Sequence, residues 1–231
     1  MIIGRDRSII IACDVPLEKY EQILKETADT ETVGGYKLGF YLALEYGLPK
    51  LVEIARKYTD KPLIYDHQKA GTDIPDTGKK FAEVCKDAGM DAVILFPQAG
   101  PETEKAWIDS AKEKGLGIIV GGLMTHRAYV KSDGGYLDDD SIMEMYLNAA
   151  KSGVTDFVVP GNKPEKIEEI RKALEAEGVK PVFYAPGFVA QGGKITDAAK
   201  AAGERWHAIV GRAVYQAEDM KKAVLELSSQ L

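Results

Sequence analysis

Leu63-Ile64-Tyr65-Asp66-His67-Gln68-Lys69-Ala70-Gly71-Thr72-Asp73-Ile74-Pro75-Asp76-Thr77 decides how this chain is read. Leu63 to Tyr65 is a short apolar run fit for a buried strand, and Gly71 and Pro75 then force a loop. Between them an acid, a base and a second acid, Asp66, Lys69 and Asp73, fall within eight residues. Opposite charges that close favour each other's ionised forms and like charges disfavour them, so proton affinities at this strand end are open to tuning. A solvated, charged loop has the same local look. The surrounding chain separates the two readings.

Working outward, strand and helix patterns alternate on both sides. Upstream, Ser8 to Asp14 reads as a buried strand, Pro16 opens a helix running to Ala28, Val33 to Phe40 is a second strand, and a helix covers Tyr41 to Tyr58. The third strand, Pro62 to Asp66, is followed by a helix from Gly78 to Ala88. Downstream the strands are Asp91 to Phe96, Gly117 to Gly121, Asp156 to Pro160, Pro181 to Ala185 and Ala208 to Val210. Their helices cover Glu102 to Lys114, Ser141 to Ser152, Lys163 to Glu177, Thr196 to Ala202 and Val214 to Leu227. Eight such units, spaced by about 25 to 30 residues, are the count of a (β/α)₈ TIM barrel of the α/β class. No low-complexity linker divides the chain, so residues 1–231 are expected to form a single barrel domain. A doubly wound open sheet is the competitor, but no GxGxxG follows the first strand.

Composition narrows the function classes. The 45% hydrophobic and 29% charged residues are those of an ordinary globular protein, and a net charge of -6 argues against a general affinity for nucleic acid or anionic membrane, since both need a basic surface. No run approaches the roughly 18 apolar residues of a membrane span, and the start is too charged and too short in apolar length for a signal peptide. Cys13 and Cys85 have no metal-ligand spacing and read as buried free thiols of a reducing cytoplasm. His67, His126 and His207 are too scattered for a zinc site.

A closed barrel gathers the loops after its strands on one face. Asp14, Lys37, Asp66, Lys69, Thr125, Gln191 and Arg212 all stand at or past expected strand ends. A lysine at position 37, between Tyr36 and Leu38, is costly to bury unless paired, and the carboxylate of the next strand is its natural partner. Asp14, before Pro16, could equally serve a helix N-terminus. Ala185-Pro186-Gly187-Phe188-Val189-Ala190-Gln191-Gly192-Gly193 and Ile209-Val210-Gly211-Arg212 suit a phosphate: glycines let backbone N–H groups approach an oxyanion, a helix N-terminus favours negative charge, and a guanidinium grips two oxygens. The loop Gly122 to Asp140 is long enough to be a lid, with a hinge or turn at Asp133-Gly134-Gly135, and His126 within it reads as a surface or structural histidine.

With Asp14, Lys37, the Asp66/Lys69/Asp73 cluster, PGFVAQGG and IVGR in this order, the chain resembles the orotidine 5'-phosphate decarboxylase family from Asp14 to Arg212. The resemblance implies a cofactor-free carbon–carbon lyase that converts orotidine 5'-phosphate (OMP) to UMP and CO₂ in pyrimidine biosynthesis. It implies that Asp14 bonds a ribose hydroxyl and that Lys37 joins the charged network and touches the ribose. Asp66 and Lys69 would lie beside the reacting carbon, with Lys69 as proton donor. Asp73, Ile74 and Thr77 would enter the site of a neighbouring subunit in a homodimer. Thr125 would bond the pyrimidine, and Gln191, Gly192, Gly211 and Arg212 the phosphate, with Pro186 nearby. The family pattern is usually Asp-x-Lys-x-x-Asp, whereas here each interval is one residue longer. A bulge or turn eased by Gly71 is expected to restore the geometry. A register that instead put His67 and Thr72 at the acid positions would lose both carboxylates. Two rival readings remain: a Mg²⁺-dependent sugar-phosphate decarboxylase or aldolase of the same barrel group, and a non-catalytic nucleotide-phosphate binding protein.

Overall fold

Alternating side chains along each strand build two apolar layers at once, because successive residues of a strand point to opposite faces. In β1 (Arg7–Ala12) Ile9 and Ile11 face outward to the helices, while Ile10 and Ala12 face the barrel axis. The structure, a computed structural model, describes residues 2–67, 73–188 and 192–231. After β1 come α1 (Leu17–Thr27), β2 (Val33–Gly39), α2 (Phe40–Tyr46), α3 (Leu48–Ala55), β3 (Leu63–Asp66) and α4 (Thr77–Asp87). They are followed by β4 (Ala92–Leu95), α5 (Pro101–Glu113), β5 (Gly117–Gly121), α6 (Asp139–Lys151), β6 (Asp156–Val158) and α7 (Pro164–Ala176). The chain ends with β7 (Val182–Ala185), α8 (Ile195–Ala202), β8 (Trp206–Val210), α9 (Arg212–Tyr215) and α10 (Met220–Ser228).

The strands pair in parallel in chain order, and β8 returns to β1 in register from Arg7 opposite Trp206 to Ile11 opposite Val210. This closure makes the molecule a (β/α)₈ barrel and removes the open-sheet alternative. The interior layer includes Ile10, Ile64, Ile94, Phe96, Ile119 and Ile209; the larger outer layer lies between strands and helices. At the end of the barrel opposite the strand C-termini the interior turns polar and is paired in part, His207 Nε2 having no partner among the described residues. The Tyr184 hydroxyl donates to Asp156 Oδ1 at 2.8 Å, and Ser8 Oγ shares a hydrogen bond with His207 Nδ1 at 2.8 Å. Among the described residues no helix is long and apolar enough to cross a membrane.

The expected elements need three corrections. The helix over Tyr41 to Tyr58 is two helices, broken at Gly47, whose φ of 78° lies in the left-handed region that a side chain disfavours. Pro49 then takes a first-turn position of α3, where its missing N–H costs no hydrogen bond. The last helix is likewise divided, leaving α9 only four residues long. The third correction concerns the loop before α6. Lys131–Asp133 forms a 3₁₀ turn, Val130 bridges Leu137, and Asp133 Oδ2 accepts from the Ala128 N–H at 2.8 Å. Gly135 packs where an added Cβ would meet the Tyr129 backbone and Gly134 has a φ of 82°, so the pair makes a compact turn, one of the two readings its sequence allowed.

Candidate functional site

Lys37 is the seed of the site. It shares its face of β2 with Gly35 and Gly39, neither of which has a side chain to compete with it, and the space beside Gly35 is taken by the Pro62 carbonyl. An added Cβ on Gly39 would stand 1.8 Å from Asp14 Oδ1, which shows how closely the carboxylate after β1 approaches this strand. Lys37 Nζ donates to Asp66 Oδ2 at 2.7 Å and to Asp14 Oδ2 at 3.4 Å. Asp14 therefore serves the lysine, not the start of α1, which has no side-chain cap.

Burial decides the electrostatics. Lys37 and Asp66 are 7% and 6% exposed, whereas half of the Asp14 side chain meets solvent. Burial opposes the charge on Lys37 more than any single neighbour supports it, yet Asp66 and then Asp14 together outweigh that cost and raise its pKa above an ordinary lysine. Lys37 is thus cationic throughout the physiological range. Asp66 Oδ1 is buried without a hydrogen-bond partner among the described residues, which leaves one strong acceptor beside the cleft. The next residue, His67, turns the other way: its Nδ1 shares a 2.5 Å hydrogen bond with the Tyr65 hydroxyl on the outer face. Of the two registers weighed for this loop, the structure directs the Asp66 carboxylate, not His67, to Lys37.

These groups form one wall of a cleft of about 240 Å³ at the C-terminal ends of the strands, just below the usual range for small-molecule sites. Thr125, Pro186, Gly211 and Arg212 line it as well. Arg212 is exposed at the rim, and α9 behind it is too short for its dipole to add much, contrary to the longer helix expected there. What this rim offers an anion is the Arg212 guanidinium. Gly192 has a φ of 83°, and Phe188 bridges Gly193, closing the neck of the glycine-rich loop. Asp73, Ile74 and Thr77 are not in this cleft. Asp73 and Ile74 are exposed on the loop before α4, and Thr77 begins that helix with its hydroxyl donating to the Ile74 carbonyl at 2.8 Å. Lys69, Gln191 and the expected bulge at Gly71 lie outside the described residues.

Some cleft residues carried no motif. Phe96 and Ile94 continue the inward alternation of β4 and could have been found from that period; Tyr215 lies one helical turn beyond Arg212 and gave no signal of its own. His126 is exposed, with its ring against Tyr129 at 5.5 Å. Both cysteines are buried free thiols, Cys85 pushed up to about 12 by burial.

Against known proteins, the model of the Orotidine 5'-phosphate decarboxylase / HUMPS family matches residues 7–227. A curated relative from Methanosarcina mazei, an orotidine 5'-phosphate decarboxylase, is 34% identical over 98% of this chain and 96% of its own. One of the same name from Methanocaldococcus jannaschii is 31% identical over 100% of this chain and 95% of its own. Among solved structures, the orotidine 5'-monophosphate decarboxylase of Methanocaldococcus jannaschii complexed with inhibitor BMP superposes with a TM-score of 0.84 at 28% identity, covering 98% of this chain and 99% of that one. The Pyrococcus horikoshii OT3 enzyme gives 0.78 at 29% identity, covering 96% and 98%.

Proposed function

Because the chain belongs to the orotidine 5'-phosphate decarboxylase / HUMPS family, we propose that it converts OMP to UMP and CO₂ in pyrimidine biosynthesis. The observation that carries this reading is the buried Lys37–Asp66 pair on one wall of a cleft whose rim bears Arg212. Breaking the bond between C6 and the carboxylate leaves the electron pair in the plane of the pyrimidine, where the ring's π-system cannot spread it. Fixed charge must then supply the stabilisation. In this reading the Lys69 ammonium stands beside C6, stabilises the developing negative charge and gives C6 its proton. Asp66, hydrogen-bonded to Lys37, faces the substrate carboxylate and raises the energy of the bound ground state.

The remaining residues bind and orient. Asp14 and Lys37 hold ribose hydroxyls, Thr125 the pyrimidine, and Gln191, Gly192, Gly211 and Arg212 the phosphate beside Pro186. Arg212 at the rim of the cleft holds the phosphate away from the reacting carbon, so that remote binding energy can be turned into rate. The active unit in this reading is a homodimer in which Asp73, Ile74 and Thr77 complete the neighbour's site. Its support is an exposed apolar set after two adjacent strands: Ile74 at 59%, Phe40 at 57% and Leu44 at 78% exposure, surface that a partner would cover. The two buried free thiols support a cytoplasmic enzyme.

The test is spectrophotometric loss of OMP by the purified protein in the presence of a chelator. Turnover under those conditions supports the reading. Turnover of a sugar phosphate that stops in chelator favours the Mg²⁺-dependent rival, and tight UMP binding with no turnover favours a non-catalytic binder.

A further inference from the structure

The segment that carries Lys69 is two residues longer than the usual family spacing, and the two residues that bound it, Asp66 and Asp73, are both described. Its downstream end is gripped from α5. Thr103 Oγ1 donates to the Asp73 carbonyl at 3.0 Å, and Trp107 Nε1 donates to the Ile74 carbonyl at 3.2 Å. Thr103 and Trp107 are four residues apart, hence on one face of the helix, and are only 4% and 6% exposed. The Ile74 carbonyl also accepts from the Thr77 hydroxyl at 2.8 Å and the Thr77 N–H at 3.3 Å, which makes it a fixed node.

The upstream end rests on the same support. The Trp107 ring lies 4.8 Å from Phe81, and Phe81 lies 6.2 Å from Tyr65 and 6.3 Å from His67, the residue after Asp66. Gly78 gives the indole its space, since an added Cβ there would stand 2.8 Å from Trp107 Cδ1. Packing α4 on α5 needs apolar contact alone. Here the helix contributes two polar donors as well, and a buried hydroxyl and indole N–H must find acceptors. Both find them on consecutive carbonyls of the loop.

We propose that Thr103 and Trp107 are positioning residues that clamp the Asp73–Ile74 backbone, and so set where the Asp73 carboxylate stands despite the lengthened interval. This inference rests on the decarboxylase reading for its consequence in rate, but not for the clamp itself. A misplacement of about 1 Å at a reacting group costs on the order of 100-fold in rate. The clamp therefore predicts a loss in kcat, with the KM for OMP held by the distant phosphate grip.

The variants are Thr103→Val, which keeps shape and loses the hydroxyl; Trp107→Phe, which keeps a ring and loses the N–H; and Thr103→Ser, which restores the donor. Expected are a fall in kcat of about 10- to 100-fold for the first two, a KM changed by less than about 3-fold, near wild-type kcat for Thr103→Ser, and faster amide hydrogen exchange confined to Ile74, Thr77 and Gly78, the bonded N–H groups of this turn. A Thr103→Val and Trp107→Phe pair with lowered Tm but unchanged kcat and exchange would reduce the two to packing and overturn the proposal. So would Thr103→Ser as slow as Thr103→Val. The exchange measurement needs no substrate. If the wild-type protein leaves OMP intact while exchange at Ile74, Thr77 and Gly78 still quickens in the variants, the decarboxylase reading falls and the clamp stands.

Discussion

Glu104 offers a test of the fold that no activity assay can confound. It lies in the first turn of α5 beside Thr103, is 2% exposed, and has an Oε1 with no partner among the described residues; an Asn148 side chain on α6 is its stabilising neighbour. Burial pushes its pKa from 4.5 up to about 8, the Asn148 hydrogen bond offsetting only part of that cost. A folded pKa above the unfolded one means that the unfolded chain releases this proton first, so stability is full below pH 4.5 and drains away as pH rises toward 8. Each pH unit inside that window costs about 1.4 kcal/mol. Glu104→Gln keeps the shape and the amide-like hydrogen bonding of the protonated acid and removes the ionisation. The variant should match the wild type at pH 4, exceed it by about 3 kcal/mol at pH 7, and exceed it by about 5 kcal/mol above pH 8. At pH 7 this corresponds to a Tm higher by about 6 to 12 °C for a chain of this size. Urea denaturation followed by circular dichroism at half-unit pH steps measures the difference directly. A variant whose stability runs parallel to the wild type from pH 4.5 to 8 would refute the reasoning, because it would mean that the acid ionises as easily folded as unfolded.

Three further outcomes follow from the site. Gly39→Ala places a Cβ 1.8 Å from Asp14 Oδ1, so the half-exposed carboxylate must swing away from Lys37. Steady-state kinetics should show kcat/KM lower by about 10-fold or more with little change in Tm, and an unchanged kcat/KM would release Asp14 from the substrate. Arg212→Ala should lower kcat/KM by orders of magnitude with the fold intact by circular dichroism; a value equal to wild type would remove the phosphate assignment. Lys69→Ala and Asp73→Ala proteins should each be nearly inactive and regain activity when their subunits are mixed and exchanged, because a heterodimer contains one intact site. Demonstrated exchange without recovery would argue that each chain completes its own.

What could be read from residues alone follows from local periodicity. Unbroken apolar runs such as Ile9-Ile10-Ile11 in β1 and the helical spacing between strands are properties of neighbouring positions, and eight repeats of that pair leave few architectures. A lysine flanked by Tyr36 and Leu38 demanded a buried anion for the same reason, since an uncompensated charge in an apolar strand is too costly. Gly47 was not legible as a break, because a glycine reveals its φ only once the helices on either side have packed. Closure itself, Arg7 against Trp206, joins residues at opposite ends of the chain, and no local pattern encodes that pairing. The same holds for the grip of Thr103 on the Asp73 carbonyl: a hydroxyl in a helix and a carbonyl in a loop carry no mark of each other in sequence. Types of element and the need for a partner are thus local chemistry, settled by composition and spacing. Which partner is met, and from which side, depends on contacts between distant segments that exist only after the barrel has closed.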